Sequence, residues 1–283
     1  MVQSINRSRP PEEVAQQLSL SRLIADQQKA ISTGQRVDRP SDDPQAWLEI
    51  STLARFQSNE AAWTSNVGRA ETRATQAEAS LTAITDGLIR ARELLIQAST
   101  GTTTAQDREG LALELDGILN DFNDVLAQRD NFGGPLFGDG PPIRIPIGEE
   151  RYVIAAPNLA QVTQGIDIGG GNVSTLQQII VDMADAIRNG TDADRTAQFS
   201  SASGAIDHIT GLLTKQGVAR NSLEATKEQL GESRLALAER RSQLEDVDAT
   251  EAITRLQTLL TSLEAAQAVY GRVSQRTLLD YLG

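Results

Sequence analysis

The chain has 283 residues, enough for one or two domains with a packed core. Lys plus Arg number 26 against 38 Asp plus Glu, a net charge of −12, which argues against nucleic acid as a partner, because proteins that wrap phosphate backbone carry a basic face. Cysteine is absent and histidine occurs once, which excludes disulfide frameworks, iron–sulfur ligation, thiol catalysis and multi-histidine metal sites, and leaves His208 as the sole candidate for a histidine-based triad.

Aromatic residues make up 4%, and cores built with so few rings are usually long helices packed by Leu, Ile, Val and Ala. The N-terminal MVQSINRSRPPEEV lacks the apolar run of a signal peptide. Aliphatic runs such as Ile179-Ile180-Val181 are too short to span a bilayer, so no membrane insertion is expected.

After Pro11 a helical stripe begins: Val14, Leu18, Leu20, Leu23, Ile24 and Ile31, with Gly34 as its stop. QRVDRPSDDP reads as a non-helical link. Asp43-Pro44 then starts a helix, Asp as cap and Pro at the first position, where its missing N–H costs nothing. Up to about Ser99 the spacing is near-heptad: Trp47, Ile50, Ala54, Gln57, Ala61, then Leu81, Ile84, Leu88, Ala91, Leu95. Such a helix is about 80 Å long and needs a partner along most of it.

Gly101-Thr102-Thr103 is a turn, and Thr104 with Asp107 forms a capping box for a helix bearing Leu111, Leu115, Ile118, Phe122 and Val125, expected to end near Asn131. Residues 133–172 hold five of the nine prolines. Within them IRIPIGEERYVIA reads as two short strands around Gly148-Glu149, a small β insert. Gly169-Gly170-Gly171 marks the return. Ser174 with Gln177 is read as the cap of a helix carrying Leu176, Ile179, Ile180, Met183 and Ile187, stopped by Gly190. Thr191 with Asp194 opens a very long helix bearing Phe199, Ile206, Ile209, Leu213, Leu223, Leu230, Leu237 and Leu244. Asp248, with Glu251 in third position, caps the last. That helix carries Ile253, Leu256, Leu260, Leu263, Gln267 and Tyr270 at steps of three and four, flanked by Leu259, Ala266, Val269 and Val273, a coiled-coil seam.

The expected fold is mainly α: an elongated bundle of long antiparallel helices with coiled-coil terminal helices and a small β insert. The breaks divide the chain into residues 1–43 (terminal helix and link), 44–132 and 173–246 (the two halves of a helical core), 133–172 (the insert) and 247–283 (the other terminal helix). The order is mirrored, as if the two ends pair.

No constellation suggests catalysis, and no cofactor is implied. GGGNVS (169–174) precedes a helix but lacks the Lys and Ser/Thr of a phosphate-binding loop. His208 has no nucleophile beside it. Asp116, Asp121 and Asp124 lack the glycine and closing Glu of a calcium loop and read as a solvated helix face.

Three segments resemble the bacterial flagellin superfamily. QKAISTGQRVDRPSDDPQA (28–46) is similar to its N-terminal segment. DGLIRARELLIQASTG (86–101) resembles its first core helix, with Arg90, Glu93 and Gln97 where the pattern has Arg, Asp/Glu and Gln. LEDVDATEAITRLQTLLTSLEAAQAVYGRVSQRTLLDYL (244–282) is similar to its C-terminal signature. Pro40-Ser41-Asp42-Asp43-Pro44 resembles the version found in members that sit between hook and filament, where filament-forming members read Ala-x-Asp-Asp-Ala-Ala-Gly. NFGGPLFGDG (131–140) is similar to the junction members' Gly-Arg-Tyr-Leu-Phe-x-Gly, with Gly-Pro before Leu136-Phe137. The RSRPPEEV start is not the usual one.

The resemblance implies a structural, non-enzymatic protein of the extracellular flagellum, exported without a cleavable signal peptide through the type III export apparatus. It implies a cytoplasmic export chaperone, and self-assembly into a ring or filament beside a neighbouring hook-associated protein and flagellin. The implied assembly interface is Leu18, Ile24 and Ile31 at one end with Ile253, Leu256, Leu260, Leu263, Tyr270, Leu278, Leu279 and Leu282 at the other. A filament-forming flagellin remains the alternative, and a cytoplasmic coiled-coil scaffold, which the same periodicity would suit, the more distant one.

Overall fold

The computed structural model describes the backbone of residues 9–282 and the side chains of 14–272. The described chain is mainly α, with seven helices and two small antiparallel sheets. In order these are α1 (Arg9–Thr33), α2 (Pro44–Ala98), α3 (Ala105–Leu126), β1 (Arg144–Pro146), β2 (Tyr152–Ile154), α4 (Leu159–Thr163), β3 (Ile166–Gly169), β4 (Asn172–Ser174), α5 (Leu176–Arg188), α6 (Asp192–Glu245) and α7 (Ala249–Leu282).

Local chemistry sets most helix starts. The Asp43 carboxylate accepts the Ala46 N–H at 3.0 Å, with Pro44 as first helical residue. Thr104 and Asp107 form a reciprocal capping box on α3, Thr191 and Asp194 do the same on α6, and Asp248 accepts from Thr250 and Glu251 on α7. From residue 67 on, the buried positions of α2 include Val67, Ala70, Ala74, Ala77, Leu81, Ile84, Leu88, Ala91, Leu95 and Ala98. The steps alternate three and four, so one seam runs from Val67 to Ala98.

The chain forms two compact units, residues 58–233 and residues 1–57 with 234–283. In the first, the main core gathers Leu81, Ile84 and Leu88 of α2, Leu115, Ile118 and Phe122 of α3, Ile179, Ile180 and Met183 of α5, and Ala202 and Ile209 of α6. Each of these Leu, Ile, Phe and Met side chains, when fully buried, contributes about 1.5–3 kcal/mol. Arg188 of α5 clamps α3 by donating to Glu109 and, at 2.8 Å, to Asp116.

A second cluster seats the β1–β2 hairpin, whose Ile147, Val153 and Ala155 lie against Val67, Ala70 and Ala74 of α2 and Leu223 and Leu230 of α6. Buried Gln216 donates to the carbonyls of Ala74 and Ala155, so one side chain pins both long helices and the insert. Arg73, paired with Asp130 and donating to the carbonyls of Pro135 and Leu136, anchors the loop that leads into the insert.

In its caps, turns and element boundaries the structure departs from the sequence reading in four places. The third helix ends at Leu126, not near Asn131, because the Asp130 carboxylate gathers the N–H groups of Phe132 and Gly134 into a turn. Thr175, not Ser174, caps α5: Thr175 Oγ1 accepts from Gln178, while Ser174 is paired in β4 opposite Ile166. Gly169, Gly170 and Gly171 are the tip of a hairpin joining β3 to β4, and their φ of 94°, 65° and 79° is a run that only glycine adopts without strain. The structure adds the five-residue helix α4, which the sequence reading lacks and whose capping box is Asn158 with Gln161. His208 meets this helix through the Gln161 carbonyl at 2.8 Å, a structural tie.

Candidate assembly surface

The other unit is built from the two links, the two terminal helices, the start of α2 up to Gln57 and the end of α6 from Arg234. Helix α1 ends at Gly34, whose φ of 74° is the left-handed helix stop that glycine favours. The links then zip together: the Arg36 N–H donates to the Glu245 carbonyl at 2.6 Å, the Val247 N–H to the Gly34 carbonyl at 2.9 Å, and Arg36 Nη2 to the Leu244 carbonyl at 2.8 Å. Val37, Ala46 and Ile50 form a small cluster beneath them with Trp47 and Leu244.

In PSDDP the residues divide the work. Pro40 and Ser41 form an exposed turn. Asp42 accepts the N–H groups of Asp38 and Arg39 at 3.2 and 2.9 Å, and these backbone donors hold its carboxyl below the ordinary range. Asp43 caps α2 and pairs with Arg36 at 3.2 Å; the Ala46 N–H and then Arg36 lower its carboxyl likewise. Pro44 opens α2.

Helices α1 and α7 pack on each other. On α1, Ile24 is buried, Ile31 half-buried and Leu18 exposed. On α7 the covered positions are Ala252, Leu256, Leu259, Leu263 and Ala266, at steps of four, three, four and three. Ile253, Leu260 and Tyr270 are left exposed, Leu260 by 40%. The α7 seam used within the chain thus runs one position to the side of the stripe read from the sequence. Leu256 and Leu263 are common to both, and the flanking residues Leu259 and Ala266 are drawn in. The result is a helix with a covered seam and a second, bare apolar line beside it. The side chains of Leu278, Leu279 and Leu282 lie outside the described residues. Ala252, Arg36 and Glu245 were not singled out from the sequence; the heptad offset would have found the first, but the zipped links carry no periodic signal.

Arg90, Glu93 and Gln97 lie in the other unit, on α2. Arg90 Nε donates to Glu114 of α3 at 2.7 Å and Nη1 to Glu93 at 3.1 Å, and the two carboxylates, Glu114 first, raise the guanidinium pKa. The Gln97 carbonyl accepts from the hydroxyls of Thr100 and Thr103, closing the end of α2. Asp116 is engaged by Arg188, while Asp121 and Asp124 are exposed on α3. Among the described residues no group of three or more acidic or histidine side chains is placed to hold a metal, and no helix is long and apolar enough to cross a membrane.

Residues 16–137 match the bacterial flagellin N-terminal helical region and residues 199–282 the bacterial flagellin C-terminal helical region. The chain is 26% identical to flagellar hook-associated protein 3 of Escherichia coli, over 85% of this chain and 87% of that protein. It is also 26% identical to the flagellin of Bacillus subtilis, over 87% of this chain and 88% of that one. The crystal structure of flagellar hook-associated protein 3 from Legionella pneumophila superposes with a TM-score of 0.61 at 12% identity, covering 69% of this chain and 98% of the other, which shows a shared fold.

Proposed function

Because the chain belongs to the bacterial flagellin family, we propose that it is a structural subunit of the flagellum placed at the junction of hook and filament, where it adapts one to the other. The observation that carries this reading is the alignment with flagellar hook-associated protein 3 across 85% of the chain. The PSDDP turn, with its two carboxylates committed to folding the link, agrees with it.

The mechanism is assembly rather than catalysis. The bare apolar line of α7, with Ile253, Leu260 and Tyr270, is a surface that a terminal helix of a neighbouring subunit can cover. Before assembly that line is an aggregation hazard, which gives a physical reason for a cytoplasmic chaperone on α7 and for export of an unfolded chain through the flagellar type III apparatus. Outside the cell the subunit joins a ring, with a hook-associated protein on one side and flagellin on the other.

The match to Bacillus subtilis flagellin at the same identity favours a second reading, a filament-forming subunit. Immunogold electron microscopy of sheared flagella separates the two. Label confined to the boundary between hook and filament is the expected result. Label along the filament replaces the junction by the second reading, and label only in the cytosol removes both.

A further inference from the structure

The β1–β2 hairpin has one face in the core and one face bare. Ile145 and Val153 stand opposite each other and point onto the long helices, so the strand alternation puts Arg144, Pro146, Tyr152 and Ile154 on the other side. Tyr152 is 51% exposed, and the Arg144 guanidinium lies 4.7 Å from the centre of its ring. Beside them α6 presents Lys215 and Val218, the latter 66% exposed, lining the same shallow depression. Glu150 is the acidic side chain among the residues lining it. Among the described residues neither Arg144 nor Lys215 has a carboxylate partner. In a chain of net charge −12 this is a local surplus of cations set in apolar surface.

The complementary surface lies in the same unit. Helices α3 and α5 together hold eight Asp and Glu against two Arg. On α3, Leu113, Asp121 and Asp124 fall on one exposed side by helical spacing, Leu113 is 59% exposed, and neither aspartate has a cationic partner among the described residues.

We infer that the bare hairpin face of one copy docks on the α3 face of a second copy of this chain, Arg144 and Lys215 meeting Asp121 and Asp124 around an apolar centre of Tyr152, Val218 and Leu113. Two different patches that fit each other make a head-to-tail contact, which closes into a ring or continues as a helix. A surface of this mixed kind sets register and partner choice more than raw affinity. The proposal rests on the reading that the chain assembles in the flagellum, and names a contact for it that the terminal helices do not supply.

The absence of cysteine makes the test clean. Flagella isolated from cells making full-length chain with Val218→Cys and Leu113→Cys are oxidised and run without reductant. A ladder of dimers and higher oligomers is expected, absent with either single cysteine. Adding Arg144→Glu with Lys215→Glu, or Asp121→Lys with Asp124→Lys, lowers the cross-linked yield roughly tenfold, since like charges then face each other. Combining all four restores the ladder, which a merely misfolded variant would not do. No ladder in flagella that contain the double-cysteine chain, or a ladder indifferent to the reversed charges, overturns this contact and leaves the junction reading standing. Finding the chain along the filament overturns the junction reading and leaves the contact standing.

Discussion

Gly87 and Gly68 sit in the same long helix and call for opposite outcomes on the same substitution. A Cβ on Gly87 would stand 2.4 and 2.9 Å from Cε1 and Cζ of Phe122, a ring buried between α2 and the rest of the core and unable to recede. Gly87→Ala therefore costs about 1–3 kcal/mol through overpacking. A Cβ on Gly68 meets nothing within 4 Å, and there Ala gains about 0.5–1 kcal/mol by its helix preference. Urea unfolding of the two variants should move the midpoint in opposite directions; a shift of the same sign would contradict the packing described. Nothing in the sequence distinguishes these two glycines, because what decides is a ring more than thirty positions away on another helix. The same holds for Arg73 and Asp130, a buried pair 57 residues apart. Caps were legible because their partners lie two or three residues on: Asp43, Thr104, Thr191 and Asp248 all act as their spacing predicts.

At the scale of the element, periodicity was legible and register less so. The second half of α2 follows the expected line Leu81, Ile84, Leu88, Ala91 and Leu95. In the first half the sequence points to Ala54 and Ala61, and the structure buries Leu53 and Glu60, one position earlier. Glu60 looks like a surface residue until Ser233 of α6 supplies a donor for its carboxylate. The same one-position ambiguity on α7 has a functional consequence. Leu263 is half-buried in the seam with α1, whereas Leu260 is exposed in the monomer. Leu260→Asp should leave the circular dichroism and the thermal transition of the purified chain unchanged and still abolish filaments, by placing an uncompensated charge in a contact between subunits. Leu263→Asp should also lower the helical signal, because it strikes the pair within the chain. If cells making Leu260→Asp swim normally, the bare line of α7 has no part in assembly.

Over the whole molecule the burial is unevenly shared. Both large apolar clusters belong to residues 58–233, while α1 and α7 contribute only Ile24 and Ala252 to the buried set among the described residues. Ordering each backbone residue costs about 1–2 kcal/mol, and a fully buried aliphatic side chain returns about 1.5–3. A long helix pair with two buried apolar side chains and a fringe of half-buried ones is therefore marginal alone, and its order depends on what covers the rest. In proteins most helical stability comes from tertiary packing of an apolar face, and here that face is only partly covered. Dilute purified chain exposed briefly to trypsin should be cut first after Arg22, Lys29 and Arg255, leaving a resistant fragment of residues 30–255 identifiable by its mass. In intact flagella the same three bonds should resist, because neighbouring copies then cover the terminal helices. Equal resistance in dilute chain and in flagella would mean that the α1–α7 pair is already complete within one subunit, and that the terminal helices assemble nothing.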